Sequence, residues 1–249
     1  MITKNLKQSF VMLPVLFLLL TGCASTNGKA NVDEGPKYSG FLSDYSKLVP
    51  DTDGSKAMHY VNPEANLKKY NKVMIEKIVV SLKDDAEYKA IDPDEMKTLT
   101  DYFREAITRE LGSDYPVVNE AGPDVLRARI AITDLVPTKT AVTVLVLITP
   151  YATVADLASS AGSKGGAGSP PYLGHSAVEV EGMDSETLQP VFSYVEQRFG
   201  KKYDPDRPTA YFDAYSSWGY VKSNFDYWAK KFRTRMDEAH GKVKVEDKK

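Results

Sequence analysis

Apolar residues recur along this chain at two different periods, and the switches between those periods divide it into elements. From Val125 to Val136 the period is two. Leu126, Ala128, Ile130 and Ile132 fall on one side, and Arg127, Arg129 and Thr133 on the other. That alternation predicts a strand with one covered and one solvated face, the two arginines reading as solvated positions. Upstream the steps become three and four. Met96, Leu99, Phe103, Ala106, Ile107 and Leu111 line one face of a predicted helix. Asp92 is placed to cap it, Pro93 suits its first position, Glu95 follows the cap by three residues, and Gly112 stops it.

The remaining pattern fills in around these two. Val73 to Leu82 are apolar on both sides, which predicts a central strand, with a bulge where Glu76 and Lys77 interrupt it. Tyr115 to Asn119 predict a short strand. His175 to Val180 and Val191 to Arg198, joined through Asp184-Ser185-Glu186-Thr187, predict a β-hairpin with Val178 and Val180 inward and Glu179 and Glu181 outward. A long helix is predicted from about Pro208 to Glu238. Tyr211, Tyr215, Trp218, Val221, Phe225, Trp228, Phe232 and Met236 form its aromatic stripe, read as core packing, and Gly219 bends or divides it. The fold class that follows is α+β: a two-layer sandwich of a mixed or antiparallel sheet with helices on one face.

Two segments carry weaker patterns. Residues 38–70 predict an irregular lead-in, in which Phe41, Leu42, Tyr45 and Leu48 keep helical spacing for two turns only. Within it, Asp51-Thr52-Asp53-Gly54 reads as a turn. A calcium loop would need its glycine at another offset and a bidentate Glu at the twelfth position. Residues 137–174 are a long excursion: Val142 to Ile148 are nearly all apolar, and Ser159 to Pro171 are rich in Gly, Ser and Pro. The apolar part reads as a strand or packed core segment. The sharper alternative is a partner-binding flap presenting Val142, Leu145, Leu147, Tyr151 and Tyr172.

The amino terminus changes the picture most. Lys4 and Lys7 precede an apolar run of 11 residues, Phe10 to Leu20, which matches a signal-peptide core and is too short to span a bilayer. Leu20-Thr21-Gly22-Cys23 then matches the lipobox of bacterial lipoproteins, and Cys23 is the only cysteine. The expectation is cleavage after residue 22 and acylation of Cys23. Lipoproteins of this class carry three chains there, palmitate being typical, and two anchoring signals already suffice for stable attachment. Ala24 matches the outer-membrane default of lipoprotein sorting, so the expected location is the periplasmic face of the outer membrane. Residues 24–37 are small and polar and read as a tether with a reach of about 20 Å. The expected organisation is a leader at 1–22, an acylated tether at 23–37, one α+β domain at 38–239 and a charged tail at 240–249.

Removing residues 1–22 leaves 30 basic against 34 acidic residues, a net charge near −4 that argues against a nucleic-acid partner. With Cys23 acylated, the folded part has no thiol for a disulfide, a metal or a nucleophile. His59, His175 and His240 are the three histidines, and none lies four residues from another. There is no His-Glu-x-x-His, no Gly-x-Ser-x-Gly and no Ser three residues before a Lys. The glycines near Gly165 lack phosphate-loop spacing. No catalytic residue, metal ligand or cofactor is therefore assigned.

Several strings taken together resemble a known family. Tyr38-Ser-Gly-Phe-Leu-Ser-Asp-Tyr-Ser-Lys-Leu48, Tyr60-Val-Asn-Pro63, Tyr70-Asn-Lys-Val-Met-Ile-Glu76, Asp124-Val-Leu-Arg-Ala-Arg-Ile-Ala-Ile-Thr-Asp-Leu135 and Phe225-Asp-Tyr-Trp-Ala229 are similar to the bacterial lipoprotein family catalogued as domain of unknown function 3313. One departure stands in the hairpin turn, where that family has Thr-Gly and this chain has Thr187-Leu188. The resemblance implies a lipoprotein without an assigned activity. The strand–helix–strand–strand layout is also similar to the amino-terminal domain of the Tol-system translocation protein and to the curli secretion lipoprotein, which are envelope assembly parts. The expected function is a non-enzymatic accessory or structural component of the cell envelope, anchored in the bilayer and acting on a protein partner. A ligand-binding module for peptidoglycan or lipid is the alternative, and a hydrolase built on His59 or His175 the third.

Overall fold

The computed structural model describes residues 38–53, 55–82, 91–141, 173–201, 213 and 216–242. The centre of the fold is the antiparallel trio β5 (Val125–Val136), β6 (His175–Asp184) and β7 (Pro190–Phe199). Ile130 pairs with Val180, and Val180 with Tyr194, so their apolar side chains share one face. The period-two reading of β5 holds at Leu126, Ala128, Ile130 and Ile132, all buried in the core. A bulge between Ile132 and Asp134 then shifts the register, and Thr133 is buried rather than solvated.

Two strand pieces flank β5 in parallel: β3 (Lys72–Ile75) and β4 (Val79–Val80). Ile75 pairs with Ala128 and Val79 with Ala131. The flanking chain therefore carries one residue more than β5 over this stretch, which is the bulge expected at Glu76 and Lys77. The strand is not central, however. It lies at the end of the sheet, and its outer side receives only a parallel bridge from Val117 to Val73. That bridge is all that forms of the strand expected over Tyr115–Asn119. Only Val73 and Ile75 of β3 are buried, so the expected burial on both faces is not met: the strand is covered on one face and half-exposed on the other.

Residues 38–70 are more ordered than their pattern predicts. β1 (Val49–Pro50) pairs with β2 (Met58–Val61), and β2 pairs with β7. The described sheet thus has seven strands, in the order β1-β2-β7-β6-β5-β3 with β4 also on β5. Strands this short carry no legible period. The helical spacing of Phe41, Leu42, Tyr45 and Leu48 forms no helix; the segment is a chain of bends laid over β6.

What that segment covers corrects the expectation for the hairpin. Glu179 and Glu181 do point away from Val178, but they are fully buried. The strap at 38–46 supplies their donors. The Ser39 amide donates to Glu179 Oε1 (2.6 Å), the Tyr45 hydroxyl to Glu179 Oε2 (2.5 Å), and the Ser43 amide and hydroxyl to Glu181 Oε1. Arg129 closes the set with an ion pair to Glu181 Oε2 at 2.6 Å, and its guanidinium lies over the Phe41 ring. A buried carboxylate is tolerated only when its oxygens are satisfied in this way. Burial first, and then the bond to Glu179, push the Tyr45 phenol up to about 12, so it remains a donor at neutral pH.

The opposite face of the sheet carries both helices. α1 (Pro93–Leu111) starts as expected, the Asp92 carboxylate accepting from the amides of Asp94 and Glu95, and ends at Gly112 with φ 56°. α2 spans Gly219–Ala239. Gly219 opens this helix rather than bending it, because the backbone of Asp213 passes 2.3 Å from where a Cβ would stand. Tyr211 and Tyr215, expected in the same stripe, lie outside the described residues. Phe103 of α1 stacks on Phe225 of α2 with ring centroids 4.5 Å apart. Arg233 donates to the carbonyls of Glu110 and Leu111, placing a cation on the end of α1. The observed class is the expected α+β fold, a mixed sheet with two described helices on one face.

Candidate functional site

The layer between α2 and the sheet is not filled throughout. An apolar cavity of about 270 Å³ lies there. Its inner wall is made of buried core residues: Phe103 and Ile107 from α1, Leu126 and Ile130 from β5, Val178 from β6, and Trp228 and Met236 from α2. Its outer end is bounded by His59, Tyr60 and Val61 of β2 and by Lys231, Phe232 and Arg235 of α2. Val61 and Arg235 are exposed, which marks this end as the mouth.

Trp228 and Tyr194 of the wall are held from behind. The Trp228 indole N–H donates to Glu196 Oε2 at 2.6 Å, and the Tyr194 hydroxyl donates to the same oxygen at 2.5 Å. Arg198 pairs with the other oxygen of Glu196 at 3.2 Å. Burial and the adjacent Glu196 raise the Tyr194 phenol far above its ordinary value, so it stays protonated as a donor. Phe192 reaches across the sheet surface because its partner on β6 is Gly182; a Cβ there would lie 2.1 Å from the ring. Glycine at this position shapes the cavity wall by leaving room for an aromatic side chain.

The mouth is ionic. Lys231 Nζ lies 2.8 Å from Asp51 Oδ2 and 2.6 Å from Asp53 Oδ2. Arg235 bonds both oxygens of Asp51, at 2.9 and 3.0 Å, and Glu238 at 2.9 Å. Burial would lower the Lys231 ammonium's pKa, but its bonds to Asp51 and Asp53 outweigh that and hold it above the ordinary value. Burial likewise works to raise Asp53, yet Lys231 and Ser55 bring it down to about 2. The acidic turn at Asp51–Asp53, considered above as a calcium loop, therefore receives its positive charge from α2. Sequence reading found the turn but not its partners, since nothing in the spacing links residue 51 to residues 231 and 235.

The histidines separate. His59 stands at the cavity mouth with Nδ1 4.0 Å from Asp51, a carboxylate already committed to two cations. His175 is buried, its Nε2 3.2 Å from Asp134, which also accepts from Gln197. His240 closes the end of α2 through Met236 and packs on Tyr115. Among the described residues, no three His, Cys, Asp or Glu side chains are grouped to hold a metal ion. Cys23, the lipobox residues Leu20, Thr21 and Gly22, and the flap residues Val142, Leu145, Leu147, Tyr151 and Tyr172 lie outside the described residues. Of the aromatic stripe, Trp228 forms part of the cavity wall, and Trp218, at the start of α2, is half-buried against the core and does not line the cavity.

The chain is 29% identical over 196 residues to the "Uncharacterized lipoprotein YdcL" of Escherichia coli K12, covering 74% of this chain and 78% of that protein. In structure it is similar to the PelC dodecamer of Paraburkholderia phytofirmans, with a TM-score of 0.39, 12% identity, and coverage of 71% of this chain and 97% of that one. A DUF4136 family protein from Bacteroides thetaiotaomicron matches with a TM-score of 0.27, 12% identity, and coverage of 73% of this chain and 98% of that one. The family model described as "Protein of unknown function (DUF3313)" matches residues 37–232, a span that holds the strap, the whole sheet, α1 and the mouth cation Lys231. The chain belongs to the DUF3313 family.

Proposed function

We propose that this chain is a lipid-anchored, non-enzymatic accessory protein of the bacterial envelope, tethered through acylated Cys23 to the periplasmic face of the outer membrane. The observation that carries this reading is the string Leu20-Thr21-Gly22-Cys23 after a basic and then apolar leader, in a chain whose E. coli relative is a lipoprotein. Anchoring raises the local concentration of any binding face, so a weak contact with an envelope partner becomes effective. The flap segment around Val142–Tyr172 is the proposed contact for such a protein partner. Separation of inner and outer membranes on a density gradient tests the placement. The protein is expected in the outer-membrane fraction, and Cys23→Ser is expected to release it to soluble fractions. Recovery of the unaltered protein with the inner membrane contradicts the outer-membrane assignment.

A second reading, binding of an apolar ligand, is favoured by one specific observation. A cavity of about 270 Å³ remains between α2 and the sheet. Its volume exceeds the roughly 150 Å³ at which a dry apolar cavity already admits benzene. It is walled by fixed aromatic and aliphatic side chains with a few polar groups at one end, as small-molecule sites are.

A further inference from the structure

The mouth of the cavity is more selective than its walls. Two cations stand there, and both already hold carboxylates supplied by the turn between β1 and β2. The two acids are not equivalent. Asp51 is 1% exposed and shared by Lys231 and Arg235. Asp53 is 33% exposed, sits on a turn, and meets Lys231 at 2.6 Å. Lys231 itself is only 12% exposed, and its ammonium lies 4.8 Å from the centre of the Tyr194 ring.

Resting on the ligand-binding reading above, we infer that the cavity takes a single-chain fatty carboxylate. Its hydrocarbon lies against Phe103, Ile130, Val178 and Trp228, and its carboxylate replaces Asp53 on Lys231. Size limits the chain. At about 30 Å³ for each water-sized group, the cavity has room for about nine such groups, which suits one medium chain and not a two-chain lipid. Charge selects the head. A cationic head could not take the place of Asp53 on Lys231, because it would meet that ammonium as a like charge. A neutral head gains from the walls alone. An anionic head adds an exchange of one carboxylate for another, so the nearly buried ammonium stays paired throughout. Asp53 returns to water from a position already one-third exposed, where an ion pair is worth little.

Calorimetric titration of the full chain carrying Cys23→Ser, with decanoate and with decanol, tests this. Decanoate is expected to bind at one saturable site, and decanol about tenfold more weakly, the usual value of a hydrogen bond to a charged group. Asp53→Asn removes the internal competitor and is expected to tighten decanoate several-fold while leaving decanol unchanged. Val180→Trp, which fills the cavity from β6, is expected to abolish binding of both. Equal affinity for decanoate and decanol, or an Asp53→Asn variant with unchanged decanoate affinity, overturns the carboxylate assignment and leaves the ligand-binding reading standing. Absence of saturable binding of either compound, or undiminished binding in Val180→Trp with a native thermal melt, overturns both.

Discussion

Leu188 is the residue at which this chain departs from the Thr-Gly of the resembled turn, and its backbone shows the consequence. Its φ is 59°, the one described non-glycine residue with positive φ, and its side chain is 50% exposed. An L-residue there costs about 1–2 kcal/mol, and an exposed side chain returns little packing in exchange. The turn holds because Asp184 organises it. Asp184 Oδ1 accepts from the amide and hydroxyl of Thr187, while Oδ2 accepts from Lys69 at 2.6 Å and Tyr70 at 3.0 Å. Leu188→Gly is therefore expected to stabilise the protein by about 0.5–1 kcal/mol, the relief of strain being partly offset by glycine's greater freedom in the unfolded chain. A raised urea midpoint with unchanged slope supports this; a lowered midpoint means that the leucine makes a contact worth more than the strain. The departure itself was legible in the sequence, because a motif with one residue changed points at that residue. The pairing of Asp51 with Lys231 and Arg235 was not, since partners so far apart meet only through the fold.

Elements with many residues in one period were the ones their sequence announced. α1 shows its cap, its first-turn proline, its apolar face and its terminal glycine, and all appear in place. β5 shows alternation until the bulge at Thr133 resets it. The strap at 38–46 is not legible in the sequence, because its order comes from the carboxylates it meets and not from its own periodicity. The same fact hid the burial of Glu179 and Glu181, whose alternation with Val178 and Val180 looked like a solvated face. Tyr45 is the bond that ties strap to sheet most directly, so Tyr45→Phe leaves a buried carboxylate oxygen without that donor, a loss of about 1–3 kcal/mol. Hydrogen exchange read by mass spectrometry is expected to quicken over residues 39–46 of this variant, with β5 and α1 unaffected. Unchanged protection of the strap shows that Ser39 and Ser43 hold it without the phenol.

At the scale of the whole molecule, the sheet divides two kinds of burial. Its helix face buries apolar surface and leaves a cavity with an ionic mouth. Its other face buries acids under a strap that begins where the polar tether at 23–37 is proposed to end. The proposed role asks two things of this molecule, an anchor and a binding face. The anchor is the premise of the proposed role, and it rests on one sulfur atom. The mass of the intact protein purified from membranes of its native type of host tests it most directly. The account predicts a chain that starts at Cys23 and is heavier than residues 23–249 by a diacylglyceryl group and an amide-linked acyl chain. A mass equal to the unmodified polypeptide, with residues 1–22 present, contradicts it.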